Sequence, residues 1–176
     1  MNTGLLVLRL IFGLLLVGHG SQKLFGLFGG PGLDGAGGFF QTLGFRPSKP
    51  MAIVAGTSEA GAGLLLVLGL LTPLASAAVI GTLVVAGSVH WAAGLWAQNG
   101  GFEMPLLYVT AAAALAFTGP GVYSLDNALG LHALAGFGWG VAAVVVGALS
   151  GLAVISRARR ALAAEAVGRV VTEKHV

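Results

Sequence analysis

"LLVLRLIFGLLLVGHGSQKL", residues 5–24, is almost wholly apolar, yet it holds Arg9, His19 and Lys23. About twenty residues of helix cross the ~30 Å hydrocarbon core of a bilayer. Three ionisable side chains in such a run need a reason, because each is costly in lipid unless it finds a partner or a polar cavity.

The rest of the chain makes the membrane reading firm. Hydrophobic residues make up 56% of the 176, charged residues 9%, and mean hydropathy is +0.92. A soluble domain carries about a quarter charged residues. A chain so poor in charge must turn most of its surface to lipid. Nothing in it points to nucleic acid. There is no cysteine, so disulfides, thiol chemistry and Cys-held metals are excluded.

Four more apolar segments follow the first: Met51–Leu71, Leu74–Trp96, Met104–Gly119 and Leu134–Ile155. Their apolar residues run continuously instead of alternating, which predicts an all-α polytopic membrane bundle and not a barrel. The first segment lacks the basic start and the small-residue cleavage pattern of a secretory signal. Segments two and three are joined by "LLTPLAS", a turn at Thr72-Pro73 that predicts a tight antiparallel hairpin. Between segments one and two, "DGAGGFFQTLGF" (34–45) reads as a short amphipathic helix. Asp34 is its expected N-cap and Gly44 its C′ residue. Phe39, Phe40, Leu43 and Phe45 would lie in the interface plane.

Positive charge predicts orientation. The tail after the fifth segment holds Arg157, Arg159, Arg160, Arg169 and Lys174. Juxtamembrane Lys and Arg prefer the cytoplasm, so the C-terminus is expected inside and the N-terminus outside. Five crossings then put Arg46 and Lys49 inside as well, and neither outer loop contains a Lys or Arg.

At ~1.5 Å per residue, His19 comes out roughly 7 Å, Glu59 roughly 12 Å and His90 roughly 9 Å above the inner ends of their helices. Glu103 opens the fourth segment from the same side. His19, Glu59, His90 and Glu103 are therefore expected in one layer, with Lys23 sharing a helix face with His19 at i, i+4. Arg9 lies nearer the outer side. Glu59 is its preferred partner, provided the second helix starts at Pro47; otherwise it turns toward Asp126 or backbone carbonyls.

Such a layer has several readings. It could be packing glue, with His and Glu bonding across helices. It could receive a quinone headgroup, for which His, Glu and Tyr108 supply hydrogen bonds and protons. It could serve a proton or small-solute path. A metal held by His19, His90, Glu59 and Glu103 is disfavoured, since no two of them share a close helical spacing. No motif for a flavin, haem or iron–sulfur centre is present, so electron transfer would need a partner or a diffusible cofactor.

"LLVLRLIFGLLLVGHGSQKLFG", "GFFQTLGFRP", "GTSEAGAGLLLVLGLLTPLASAA", "VHW", "NGGFEMPLLY" and "GPGVYSLDNAL" occur in this order between residue 4 and about 129. Together they resemble the DoxX family of small bacterial membrane proteins. The resemblance implies a four-helix core like the small subunit of a thiosulfate:quinone oxidoreductase, located in the bacterial plasma membrane. It also implies association with soluble redox enzymes. It highlights Arg9, His19, Gly20, Lys23, Glu59, His90, Asn99, Gly100, Glu103, Tyr123 and Asp126. The expected organisation is a family-like core over 1–129, an added span over 130–156 and a basic cytoplasmic tail over 157–176. The expected function is a membrane subunit of a quinone-linked redox complex. A non-catalytic anchor for soluble redox enzymes and a small-solute or proton transporter are the alternatives. The added span carries Gly136, Gly140, Gly147 and Gly151, a small-residue face suited to close packing on its own bundle or on a second copy.

Overall fold

The computed structural model describes residues 1–173, with side chains through 168; Lys174 and the side chain of Arg169 lie outside the described residues. The chain is an all-α polytopic membrane bundle. Its helices are α1 (Asn2–Phe25), α2 (Gly32–Thr42), α3 (Ser48–Leu68), α4 (Thr72–His90), α5 (Glu103–Thr118), α6 (Leu125–Ala128) and α7 (Phe137–Glu173), with short 3₁₀ turns between some of them. Four of them, α1, α3, α4 and α7, are long and apolar enough to cross a membrane. The fifth rod, α5, has only 16 residues, about 24 Å of rise.

Two helix pairs dominate the packing, α1 with α3, which run antiparallel, and α4 with α7, which run parallel. Both rest on small residues that bring backbones together. A Cβ on Gly13 would stand 2.6 Å from the Gly63 carbonyl oxygen, and one on Gly20 would stand 2.5 Å from that of Gly56. In the second pair, a Cβ on Gly147 would meet the Ala77 carbonyl at 2.7 Å, and one on Gly151 that of Gly81 at 2.8 Å. A Cβ on Gly140 would run into the Phe117 ring, while Gly136 faces open space. The small-residue face of the last span is thus spent within its own bundle.

The α3–α4 hairpin forms, but its turn is Gly69–Leu71, and Thr72 and Pro73, expected in the turn, already lie in the first turn of α4. Three other expected details change. First, α2 starts at Gly32, with Pro31 as N-cap. Asp34 lies in its first turn, where it pairs with Lys49 at 2.7 Å instead of capping. Gly44, at φ 79°, does follow the helix as the left-handed residue. Second, α4 stops at His90 instead of Trp96. The chain breaks there into 3₁₀ turns at Trp91–Ala93 and Ala97–Asn99, with Gly94 and Gly100 at positive φ. Third, α7 does not end at Ile155 but continues through the basic stretch. Ala-rich sequence favours helix there. Arg46 also holds the extension by donating to Glu165 Oε1 from Nε (3.1 Å) and Nη2 (2.6 Å).

Candidate functional site

The charged groups of the span segments fall into two separate places. The first is at the α3–α4 turn. Arg9, entirely buried on α1, donates from Nη2 to the Tyr123 carbonyl. Its Nε and Nη1 have no partner among the described residues. Asp126 on α6 accepts from Leu71 N (2.8 Å), Thr72 N (3.1 Å) and Thr72 Oγ1 (2.8 Å), so its carboxylate caps α4. Gly69, with φ 63°, leaves the space that Arg9 fills: a Cβ there would overlap the guanidinium. This assembly ties α1, the hairpin turn and α6 together, and little room surrounds the arginine.

Arg9 therefore does not meet Glu59, although α3 begins at Ser48 as that pairing required. Ten residues of α3 separate Glu59 from Gly69, about 15 Å of rise. That exceeds the reach of an arginine side chain. The carbonyl of Tyr123 and the charge of Asp126 take Glu59's place.

The second place is at the opposite end of the bundle. Glu59 is 4% exposed, and its Oε2 accepts a hydrogen bond from Lys23 Nζ at 2.6 Å. Both side chains line a cavity of about 360 Å³, as do His90, Ser58 and Thr82. The cavity has α4 as its floor and α3 and α7 as its walls; those walls pack on α4 but scarcely on each other. Phe39, Phe40 and Phe45 of α2 and its C-terminal turn roof it, with Phe45 buried. These rings close a chamber instead of lying free in the interface, although Phe39 stays half-exposed. Val54 of α3, which is exposed, and Val154 of α7 also line the cavity, on two helices that scarcely touch each other.

The expected single layer of four divides. Counted from the hairpin, Glu59 lies nine residues before Leu68 and His90 eighteen after Thr72. They differ in height by about 13 Å. His90 ends α4 at the cavity's rim, where its Nδ1 lies 2.9 Å from the Gly100 carbonyl oxygen. A carbonyl only accepts, so Nδ1 carries the proton in this contact. Glu103 accepts from Ala97 N at 2.9 Å and pins the α4–α5 connection, away from the cavity. His19 is level with Glu59, since Gly20 packs on Gly56 and Ala60, but it is exposed and stands edge-on to the Tyr108 ring at 6.0 Å. Tyr108 is buried between His19 and Phe12. Asn99 is an exposed loop residue, and Tyr123 acts through its carbonyl. Among the described residues no three His, Asp or Glu side chains come together as a metal-holding group.

Ser58 and Thr82 were not singled out in the sequence. Ser58 is ten residues before Leu68 and Thr82 ten after Thr72, so they face the cavity at one height, level with Glu59. Helical Ser and Thr usually return their hydroxyl to a carbonyl of the preceding turn. Thr57, Thr110, Thr118 and Ser156 do so here. The hydroxyls of Ser58 and Thr82 have no partner among the described residues.

The DoxX family model matches residues 4–91, half of the chain. The chain belongs to the DoxX family. The match takes in α1 to α4 and so every cavity wall except α7. The motifs after Trp91, including those with Glu103, Tyr123 and Asp126, lie beyond it. Neither the curated proteins nor the solved structures provide a match.

Proposed function

We propose that this DoxX protein is a membrane subunit of a redox complex and that its cavity binds a quinone or a related lipid-soluble ring compound. The observation that carries the reading is the cavity itself. It is apolar over most of its wall, is lined by α3 and α7, which scarcely touch each other, and holds the Lys23–Glu59 pair at a buried position. Lys23 has ammonium protons beyond the one given to Glu59, and they suit a ring oxygen. Glu59 can hold or release a proton at that oxygen. His90, held through Nδ1 by the Gly100 carbonyl, presents its Nε2 at the rim. Electrons would come from a partner protein. His19 and Tyr108, beyond the cavity wall, serve packing in this reading, as do Arg9 and Asp126.

Lys23, Arg46, Lys49, Arg157, Arg159 and Arg160 gather at the end where α2 lies, with Arg9 alone among described Lys and Arg at the other. That asymmetry supports a cytoplasmic α2 end and C-terminus in a bacterial plasma membrane, with the N-terminus outside. A second reading, an anchor for soluble redox enzymes, draws on Arg157, Arg159 and Arg160. They are exposed on the α7 extension and have no ion-pair partner among the described residues.

Gentle purification into lipid nanodiscs, followed by mass spectrometry, tests both. A quinone is expected to co-purify with the wild-type protein and to be lost with Glu59→Gln. If no quinone is retained, and deleting residues 157–176 alone abolishes co-purifying enzymes, the anchor reading replaces the first.

A further inference from the structure

Resting on the quinone reading, we infer that Ser58 and Thr82 bind the oxygen-bearing ring of the ligand. They put its polar head at mid-bundle, level with Glu59, with its tail leaving between α3 and α7.

Three observations converge. Thr82 is the eleventh of the 19 residues of α4, so the two hydroxyls sit near the middle of the apolar layer and not at its edge. A hydroxyl at such depth is costly without a hydrogen bond. The usual remedy, a bond to its own helix, is taken by Thr57 immediately before Ser58 but not by Ser58 or Thr82. Both open onto the same cavity as Lys23 and Glu59.

The chemistry of the four groups defines the ligand class. A hydroxyl rotates to donate or to accept. Ser58 and Thr82 can therefore donate to a ring carbonyl, and can equally accept from a ring hydroxyl. Lys23 donates to either form, and Glu59 accepts only from the hydroxyl form. The site satisfies a ring compound in both its oxidised and its reduced state. A headgroup restricted to one state would need no such rotors. Toward water, the cavity is roofed by Phe39, Phe40 and Phe45, while Val54 in its wall is 55% exposed at a level of α3 that faces lipid. The ligand accordingly arrives from the bilayer and carries an apolar tail.

The test is equilibrium binding of a decyl-substituted benzoquinone, and of its reduced form, to the full chain in nanodiscs. Ser58→Ala and Thr82→Val should each weaken both forms about 5- to 10-fold, the scale of one hydrogen bond. The double variant should weaken them about 30-fold or more. Thr57→Ala, whose hydroxyl is tied to Ile53 and Val54, should bind within twofold of wild type. Circular dichroism and thermal unfolding check that each variant is folded. If the Ser58 and Thr82 variants bind like wild type while Glu59→Gln loses binding, the head lies elsewhere and the inference fails alone. If the wild-type chain binds neither form, the quinone reading fails with it.

Discussion

The two ends of this bundle both bury an opposite-charge set, and they use it differently. At the hairpin end, every lone pair that Asp126 spends goes to the backbone or side chain of Leu71 and Thr72, and Arg9 fills a slot cut by Gly69. At the α2 end, Lys23 and Glu59 meet beside about 360 Å³ of space and two idle hydroxyls. A charge in a membrane segment is thus no evidence of a ligand by itself. Spare hydrogen-bonding capacity next to an opening is what distinguishes a site from a clamp.

The largest test of this contrast is Asp126→Ala. It strips the cap from α4 and leaves Arg9 buried without its counter-charge, so a loss of roughly 3–5 kcal/mol is expected. Thermal unfolding in detergent measures it, and quinone binding by the surviving folded fraction should be unchanged. Lys23→Met comes next. It strands the Glu59 carboxylate, and roughly 2 kcal/mol should be lost, the pair being partly wetted through Lys23. Adding Glu59→Leu should restore the unfolding temperature while leaving ligand binding abolished; restored binding would erase the distinction between the two ends. Arg9→Met should be milder, within about 1 kcal/mol of wild type, because Asp126 keeps its three donors and two orphaned N–H groups disappear. A cost above that of Asp126→Ala would reverse the assignment of which partner holds the clamp.

The smallest effect concerns the cavity roof. The Asp34 carboxyl is held below its ordinary range by the hydrogen bond from Lys49 and then by that residue's charge. A depressed carboxylate contributes stability above its unfolded value of about 3.9, and that contribution is lost as pH falls through the lower folded value. Amide exchange of α2, measured against wild type at matched intrinsic rates, should rise below about pH 4. Asp34→Asn should remove that pH dependence. The pair is fully exposed, so the change should be slight.

Much of the scaffold is legible in the residues. Long apolar runs require lipid, and Thr72-Pro73 marks a hairpin, although the turn itself is Gly69–Leu71. Periodicity and composition carry this because they act locally, residue by residue. They also flagged Lys23 and Glu59 as costly in lipid, which is a property of the side chain alone. What they could not fix was height and direction. A helix end six residues earlier than its apolar run moved His90 from the layer to the rim. A ten-residue offset between α1 and α3 gave Arg9 to Tyr123 and Asp126 and gave Glu59 to Lys23. Ser58 and Thr82 carry no signal in a linear reading, since a hydroxyl in a helix is unremarkable until its usual carbonyl is seen to be unused. Hydropathy fixes which segments enter the membrane. Register between rods, set by which glycines meet, decides which polar groups face one another and whether any space is left between them.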